Sequence, residues 1–395
     1  MAINKEQNIL NVPHLRFPEF HGEWEKCKVS DLLDFYSTNS LSWDQLEYGT
    51  DNMLNLHYGL IHVGLPTMVD LSKDILPAIK KENEPKNFEL CKEGDIAFAD
   101  ASEDTNEVAK AIEFYTLEDK AVVCGLHTIH GRDKSNKTVV GYKGYAFSST
   151  AFHHQIRRIA QGTKIYSISA KNFAECYIGI PSKEEQTKIA KLLRLIDERI
   201  ATQSKLIEEL ESLIKGIRND VYGKLRKSIG FNAMISDILC YEQPQPYIVE
   251  NTEYTAEGIP VLTANKAFVL GYTSETNGIY DKGDCIIFDD FTLDCKYVDF
   301  PFKVKSSAIK ILTAKNKELL RYTFEFLKYL DLSTEEHKRH YIAETQNQDF
   351  ILPTEQIVKT IAHIFSTLSV RMETAVKQRN VFEKQKQYLL RQMFI

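Results

Sequence analysis

Residues 184–222 read EEQTKIAKLLRLIDERIATQSKLIEELESLIKGIRNDVY, and this stretch decides the fold of the chain. Its apolar side chains recur at alternating intervals of three and four residues, which is the heptad pattern of a helix that packs lengthwise on another helix. Gln203 stands where one apolar member is expected. The stretch predicts a long helix with an apolar seam, whose members are Ile189, Leu193, Ile196, Ile200, Ile207, Leu210, Ile214 and Ile217.

A second seam near the C-terminus repeats this pattern in the same phase, and its members are Ile361, Phe365, Leu368, Met372, Phe382 and Leu389. The segments ahead of the two helices also correspond, because Ile180-Pro181 is matched by Leu352-Pro353 and Val29–Leu33 by Ile235–Leu239. A proline that ends a strand commonly precedes a helix. Each repeat is therefore predicted to be one mixed globular domain followed by one long helix.

This order predicts an α+β fold with a pseudo-twofold internal repeat. Two similar mixed α/β domains would be separated by two long helices, which must run antiparallel, as a coiled-coil rod, if their seams pair. Arg379 and Lys386 fall on the second seam, where they indicate either a less dry end of the rod or a surface that faces another protein. The predicted segments are an N-terminal arm at 1–22, domain one at 23–181, a central spacer helix at 182–225, domain two at 226–352 and a C-terminal spacer helix at 353–395. Predicted strands in domain one include Leu60–Val63, Ile96–Phe98, Ala121–Cys124, Thr138–Val140 and Tyr177–Ile180, and Gly223 is the predicted stop of the first helix.

Length and composition limit the class of protein. A chain of 395 residues with 43% hydrophobic content is expected to hold more than one core. No apolar run approaches the roughly 18 residues of a membrane span, and the polar N-terminus lacks the plan of a signal peptide, which predicts a cytoplasmic protein. Seven scattered cysteines without a Cys-x-x-Cys pair argue against a disulfide framework or a zinc knuckle. The net charge of −6 gives no global basic footprint, so any nucleic-acid binding would depend on a local basic face.

No motif in the sequence predicts catalysis. The chain has neither a glycine-rich nucleotide fingerprint nor a phosphate loop nor any Pro-Pro pair, which excludes the usual motifs for S-adenosylmethionine binding, ATP hydrolysis and amino-methyl transfer. The acidic group at Asp284, Asp289, Asp290 and Asp294 favours turn carboxylates over a cation site. The paired histidines lack ligands at metal-binding spacing. We therefore predict no catalytic residue and no metal site.

Several stretches occur in a characteristic order: Leu15–Phe20 with Gly22–Trp24, Gly125–Thr128, Ala160–Ser169, Ile180–Ile189, Lys296–Phe302 and Ser306–Ile311. Together with the duplicated plan, they resemble the specificity (S) subunit of a type I restriction-modification system. The second repeat lacks the Gln-Gly-Thr-Lys run of the first, so equivalent DNA contacts in the two domains are not assumed.

The resemblance implies a DNA-binding subunit without catalytic activity of its own, in a phage-defence complex. Two target-recognition domains would each read half of a bipartite, asymmetric target in double-stranded DNA. The rod would fix the gap between the halves and dock two methyltransferase (M) subunits, and restriction/translocase (R) subunits would join them. S-adenosylmethionine, ATP and Mg²⁺ would be used by these partners in adenine methylation and restriction, and this chain would bind no cofactor and contact no membrane.

Base readout in the major groove requires amide or guanidinium groups in loops, whereas lysines more often contact phosphates. The candidates in domain one are Arg132, Lys134, Asn136, Lys137, Arg157, Arg158, Gln161 and Lys164, and those in domain two are Asn265, Lys266, Lys303, Lys305 and Arg339. A solvated surface charge is the alternative for each of them. The alternative for the whole chain is a coiled-coil assembly adaptor that does not read DNA, which the acidic net charge favours.

Overall fold

The computed structural model describes residues 11–50, 52–264, 267–334 and 338–395. The chain divides into two compact units: unit 1 comprises the residues up to Gln203 together with Gln378–Ile395, and unit 2 comprises Ser204–Lys377. Both divisions fall inside the long helices, so each unit contains a part of each helix. The domain boundaries given above therefore stay a prediction. No helix in the described ranges is long and apolar enough to cross a membrane.

Unit 1 is a mixed α/β unit. Its elements are β1 Glu25–Lys28, α1 Val29–Leu32, β2 Leu33–Tyr36, β3 Leu46–Glu47, β4 Leu54–Leu56, α2 Tyr58–His62, β5 Met68–Asp70, β6 Ala78–Ile79, β7 Ile96–Ala99, β8 Ala101–Ser102, β9 Ala111–Thr116, β10 Val122–Cys124, β11 Thr128–Asp133, α3 Lys143–Phe147, α4 Thr150–Ile159, β12 Tyr166–Ser167, α5 Ala170–Ala174 and β13 Tyr177–Ile180. A five-stranded sheet has the order β2-β11-β7-β9-β5, a four-stranded sheet has the order β10-β4-β6-β3, and β1 with β13 and β12 with β8 form two-stranded ribbons.

The first long helix, α6, extends over Lys183–Ser228. It passes through Gly223, where a stop was predicted, and Gly230 with a φ of +74° follows its end. The last turns remain helical because Tyr222 and Leu225 pack into the core of unit 2. The predicted stop was therefore wrong, since packing outweighs the roughly 1 kcal/mol that a glycine costs inside a helix.

Unit 2 is also mixed. Its elements are β14 Ala233–Met234, α7 Ile235–Ile238, β15 Leu239–Glu242, β16 Ile259–Leu262, β17 Val269–Thr273, β18 Cys285–Asp289, β19 Cys295–Val298, β20 Lys303–Val304, β21 Ile309–Ala314, α8 Leu319–Leu330, β22 Asp349–Phe350 and the second long helix α9 Glu355–Gln392. A four-stranded antiparallel sheet has the order β15-β21-β18-β19, a three-stranded sheet has the order β17-β16-β20, and β14 pairs with β22.

The two units share one plan, which confirms the predicted internal repeat. In unit 1 the run β1-α1-β2 begins the globular part, and β1 pairs with β13, the strand directly ahead of α6. In unit 2 the run β14-α7-β15 does the same, and β14 pairs with β22, the strand ahead of α9. A glycine with positive φ precedes a fully buried strand in both units, Gly94 before β7 and Gly283 before β18.

The long helices pack antiparallel within each unit. In unit 1, Asp197 of α6 forms an ion pair with Lys386 of α9 at 2.7 Å, and Arg199 lies over the ring of Phe382. In unit 2, Arg218 of α6 lies over Phe365 and donates two hydrogen bonds to the buried carboxylate of Glu325 in α8. The predicted α+β class with two antiparallel long helices is therefore confirmed.

The seam side chains differ in burial along the helices. Ile189, Leu193, Ile196, Ile207, Leu210, Ile361, Phe365 and Leu389 are buried, while Ile200, Ile214, Ile217, Leu368, Met372 and Phe382 are half-buried. The polar seam positions also differ, because Lys386 has its ion pair with Asp197 whereas Gln203 Oε1 and Arg379 Nε are buried without a hydrogen-bond partner among the described residues. Arg379 Nε does lie 3.6 Å from Glu383 Oε1 of the same helix, so the seam of unit 1 contains buried polar atoms at Gln203 and Arg379.

Two predicted strands were wrong. Residues 60–62 lie in α2, because His57 caps that helix by accepting a hydrogen bond from the Gly59 N–H at 3.1 Å. Thr138–Val140 has no regular structure, since Thr138 is held by Asp133 and the Val139 N–H donates to Gln186 Oε1 at 2.9 Å. A run of three or four apolar residues fits a helix or a strand equally well, and the capping and loop contacts decide.

Candidate nucleic-acid interface

A tight loop at residues 161–165 follows helix α4 and is exposed on the surface of unit 1. Its base is closed by two backbone hydrogen bonds between Gln161 and Ser167, at 2.9 and 2.8 Å, and the adjoining strand β12 pairs with β8. Gly162 has a φ of +140°, and a Cβ there would overlap the carbonyl oxygen of Ile165. Only glycine therefore fits the turn.

The side chains of this loop face solvent. Gln161, Thr163 and Lys164 are exposed, and Ile165 keeps 62% of its surface accessible. In the described part of the chain, neither the Gln161 amide nor the Lys164 ammonium has an intramolecular hydrogen-bond partner. An amide and a cation that are both exposed on one turn are groups able to read a base edge and contact a phosphate. We call Gln161–Ile165 the recognition loop.

The two arginines at the end of α4 have different surroundings. Arg157 donates to Asn106 Oδ1 at 3.2 Å and to His154 Nδ1 at 2.7 Å, which fixes its direction. Arg158 is exposed and lines an open groove of unit 1 together with Lys26 and Arg391. The groove thereby gathers three cations, two of which were not among the predicted residues because they are far apart in sequence.

The loop after β11 carries three predicted residues. Asp133 holds the loop through hydrogen bonds from the backbone N–H groups of Ser135 and Thr138. Lys134 donates to the Ser30 carbonyl oxygen at 2.7 Å, and Lys137 pairs with Glu25. Asn136 is exposed with a φ of +52°. The two lysines thus already have partners within unit 1, whereas the Asn136 side chain is open to solvent.

Arg132 has an internal role. Its guanidinium donates to both oxygens of the buried Asp95, at 2.8 and 2.7 Å, to Glu89 at 2.6 Å and to the Leu90 carbonyl oxygen. These hydrogen bonds raise the pKa of Arg132. Burial alone would raise the pKa of Asp95, but hydrogen bonds from His130 and Arg132 lower it below its ordinary value. The Arg132 guanidinium is therefore engaged in hydrogen bonds with groups of unit 1 itself.

The predicted DNA-contacting residues of unit 2 also differ in burial. Lys303 is buried, where it forms an ion pair with Glu275 at 2.7 Å and donates to the Asn277 carbonyl oxygen. Lys305 and Arg339 are exposed. Asn265 and Lys266 lie outside the described residues.

Two carboxylates of the predicted acidic group in unit 2, Asp289 and Asp290, accept hydrogen bonds that stabilise the fold. Asp290 is buried and accepts hydrogen bonds from the backbone N–H groups of His340 and Tyr341, at 3.0 and 2.7 Å, with Lys310 nearby at 3.4 Å. Asp289 accepts from the backbone of the following turn. Both carboxylates are thus engaged by donors of the protein itself.

Three side chains that can bind a metal ion lie close together elsewhere, in unit 1. Within the described ranges, Cys91, Cys124 and His130 of unit 1 bring their sulfur and nitrogen atoms within 4.8 Å of one another, and all three residues are buried. Sequence spacing gave no sign of this cluster, since strand pairing assembles it.

Comparisons with known proteins give one consistent family. Residues 22–212 match the family model described as the type I restriction modification DNA specificity domain. The specificity subunit of the Escherichia coli type I restriction enzyme EcoR124I/EcoR124II is 45% identical over 126 residues, which are 30% of this chain. The match spans only 31% of that relative's length.

Solved structures share the fold over nearly the whole chain. The S subunit of a type I restriction-modification system from M. genitalium aligns with 97% of this chain and 99% of its own, with a TM-score of 0.63 and 16% identity. A chain from a structure that describes assembly and conformational transition of the type I R-M system aligns with 93% of this chain and 96% of its own, with a TM-score of 0.51 and 11% identity. At these identities the likeness concerns the fold alone.

Proposed function

We propose that this chain is a specificity subunit of a type I restriction-modification system and selects the DNA sequence on which partner subunits act, because its residues 22–212 match the DNA specificity domain of such systems. The observation that carries the proposal is the recognition loop, which presents the Gln161 amide and the Lys164 ammonium, both without a partner among the described residues, on a turn that only Gly162 permits. Asparagine and glutamine amides pair with adenine in the major groove. We assign base contact to Gln161 and phosphate contact to Lys164.

The duplicated plan supports a bipartite target. Unit 1 and unit 2 are built alike around a β-α-β start, yet unit 2 lacks the Gln-Gly-Thr-Lys run of the recognition loop. Two readers on one chain can diverge, so the half-sites would differ and the target would be asymmetric. The long helices would fix the unread gap and dock two M subunits, with R subunits added for restriction.

The M and R subunits would carry out the methylation and restriction reactions. S-adenosylmethionine, ATP and Mg²⁺ would be bound by the M and R subunits, and this chain would act in the cytoplasm by positioning adenines for methylation. We include Asn136, Arg158, Lys305 and Arg339 as further DNA contacts because their side chains are exposed. Arg132 and Lys303 are left out of the proposed interface, since their charges are engaged inside the protein.

Salt-dependent DNA binding tests the proposal. The chain assembled with its M subunits should bind its target with an affinity whose logarithm falls by about 0.9 per phosphate contact for each tenfold rise in salt. An assembly adaptor would bind its protein partners and show no such DNA affinity. If the assembled complex binds duplex DNA no better than the M subunits alone, the proposal is wrong.

Replacing Lys164 with alanine is expected to weaken binding of all DNA sequences alike and to reduce the salt slope by about 1, because one phosphate contact is lost. The control is Lys73→Ala, which removes another exposed lysine of unit 1, one that forms an ion pair with Asp70. Equilibrium binding over a range of salt concentrations measures both values. An unchanged slope in Lys164→Ala would remove this residue from the interface.

Replacing Gln161 with alanine should instead relax the choice of base at one position of the target. The expected cost is about 1–3 kcal/mol for the cognate sequence and little for a sequence altered at that position. A competition assay with single-base variants of the target measures the difference. Equal losses for every sequence would show that Gln161 reads no base.

A further inference from the structure

Three buried side chains of unit 1 form a compact set of soft ligands. The sulfur atoms of Cys91 and Cys124 lie 3.6 Å apart, and a ring nitrogen of His130 lies within 4.8 Å of both. His130 is fully buried, and the two cysteines are 6% and 2% exposed. The set is therefore shielded from solvent.

Strand pairing brings these residues together. Cys91 reaches the cluster because its N–H donates to the Val122 carbonyl oxygen and Leu90 bridges to Val123 of β10. Cys124 is the last residue of β10, in the four-stranded sheet. His130 lies in β11 of the five-stranded sheet, with β2 and β7 on its two sides. The cluster therefore lies where the four-stranded and five-stranded sheets of unit 1 meet.

His130 is oriented as metal-bound histidines are. Its Nε2–H donates to the Asp95 carboxylate at 2.8 Å, and Arg132 holds that carboxylate through two further hydrogen bonds. The other ring nitrogen, Nδ1, is buried and has no hydrogen-bond partner among the described residues. A histidine that ligates a metal almost always donates its second N–H to a carboxylate or carbonyl group. Nδ1 is thus the ring nitrogen of His130 that remains available as a metal ligand.

We propose that Cys91, Cys124 and His130 bind one zinc ion, with Asp95 as the residue that positions the imidazole. Two sulfur atoms 3.6 Å apart subtend an angle of about 103° at an ion placed about 2.3 Å from each, which is close to the tetrahedral geometry of zinc. A trigonal soft ion such as Cu(I) would need the two sulfur atoms about 4.0 Å apart at the same bond length. The observed separation therefore fits a tetrahedral zinc ion.

Charge balance supports the same ion. Two thiolates and a neutral imidazole around Zn²⁺ give a site without net charge, which a buried location tolerates far better than an ionic one. Binding releases the two thiol protons to solvent, and no electron is transferred. Zinc has four ligands in nearly all structural protein sites, and this cluster supplies three of them. The ion would join the two sheets and brace β11, whose end leads into the loop at Lys134–Lys137.

Cobalt substitution tests the site on the full chain. The protein is stripped with a chelator in the presence of a reductant and then titrated with Co²⁺ alone. We expect a thiolate-to-cobalt absorption band and visible tetrahedral bands that saturate at about one ion per chain and vanish when zinc is added. Absence of the band in the wild-type protein would overturn the proposal, and so would a Cys91–Cys124 disulfide, seen by mass, that persists in the reductant.

Variants locate the site within the chain. Cys91→Ser, Cys124→Ser and His130→Gln should each lose at least nine-tenths of the zinc retained by the wild type, whereas the matched control Cys176→Ser, a buried cysteine of unit 1 outside the cluster, should keep it. Full retention of zinc in Cys124→Ser would contradict the assignment.

A stability measurement on the wild type does not depend on the variants. Both tryptophans, Trp24 and Trp43, lie in unit 1, so their fluorescence reports the melting of that unit. At a zinc concentration about a hundred times the dissociation constant, we expect the Tm of unit 1 to rise by about 5–10 °C. No rise in Tm would show that zinc does not bind the folded unit.

Discussion

Replacing Asp95 with alanine is expected to lower the free energy of unfolding of unit 1 by about 3–5 kcal/mol, because breaking a buried ion pair leaves its partners uncompensated. Asp95 is 1% exposed and accepts hydrogen bonds from His130, Arg132 and the backbone N–H of Lys92. Urea unfolding followed by tryptophan fluorescence measures unit 1 by itself, since both tryptophans lie there. A chelator in the buffer keeps any metal contribution out of the comparison.

The matched control is Asp34→Ala, which removes an exposed carboxylate from the neighbouring strand β2. Its effect should stay within about 0.5 kcal/mol. An equal loss in both variants would show that the Asp95 network contributes nothing specific to the stability of unit 1.

The same network predicts a dependence on pH. The pKa of Asp95 is lower in the folded protein than its ordinary value, so the carboxylate contributes its full stabilisation above an unfolded-state pKa of about 3.9. That contribution is lost as the pH falls through the lower, folded-state pKa. The difference in unfolding free energy between the wild type and Asp95→Ala should therefore shrink in acid, and a difference that grows would contradict this sign.

Replacing Gly162 with alanine is expected to have the largest effect on activity, a loss of about tenfold or more in the methylation rate of the complex with its M subunits. A Cβ would overlap the Ile165 carbonyl oxygen at a φ of +140°, so the recognition loop must open, which would displace the base and phosphate contacts proposed for it. One bidentate base contact alone is worth about 1–3 kcal/mol. Single-turnover methylation of a target duplex measures the loss.

Gly64→Ala is the matched control for Gly162→Ala. Gly64 also has a positive φ, +112°, but nothing lies within 4 Å of a Cβ placed there, so this variant tests backbone strain without moving the recognition loop. We expect near-normal methylation from it. If Gly162→Ala methylates as fast as Gly64→Ala, the loop does not contact the target.

Local patterns in the sequence were sufficient to predict the long helices, which depend on the periodicity of apolar residues. The heptad seams at Ile189 and Ile361 and the paired proline exits predicted two long helices in a duplicated α+β chain, and the structure has both. The four residues at Leu60–Val63 were too short a run to decide between helix and strand, and the cap at His57 decided for helix.

The candidate site depended on contacts between distant residues, which no local pattern contains. Arginine and lysine usually lie on the surface, but Arg132 and Lys303 form ion pairs with Asp95 and Glu275 inside the protein once the sheets form. The cluster at Cys91, Cys124 and His130 likewise arises only from the pairing of β10 and β11 with their neighbours. Gln161 and Lys164, by contrast, are nearly contiguous in the sequence, and the structure leaves both side chains exposed, so their place at the surface could be predicted locally.

Methylome sequencing tests the central claim most directly. Cells that express this chain with its M subunits should gain adenine methylation at one split, asymmetric DNA motif, and cells that express the M subunits alone should lack it. Expression with the Gln161→Ala variant should change the bases methylated in one half of that motif and leave the other half unchanged. Methylation that is the same with and without this chain would contradict its role as the subunit that selects the DNA sequence.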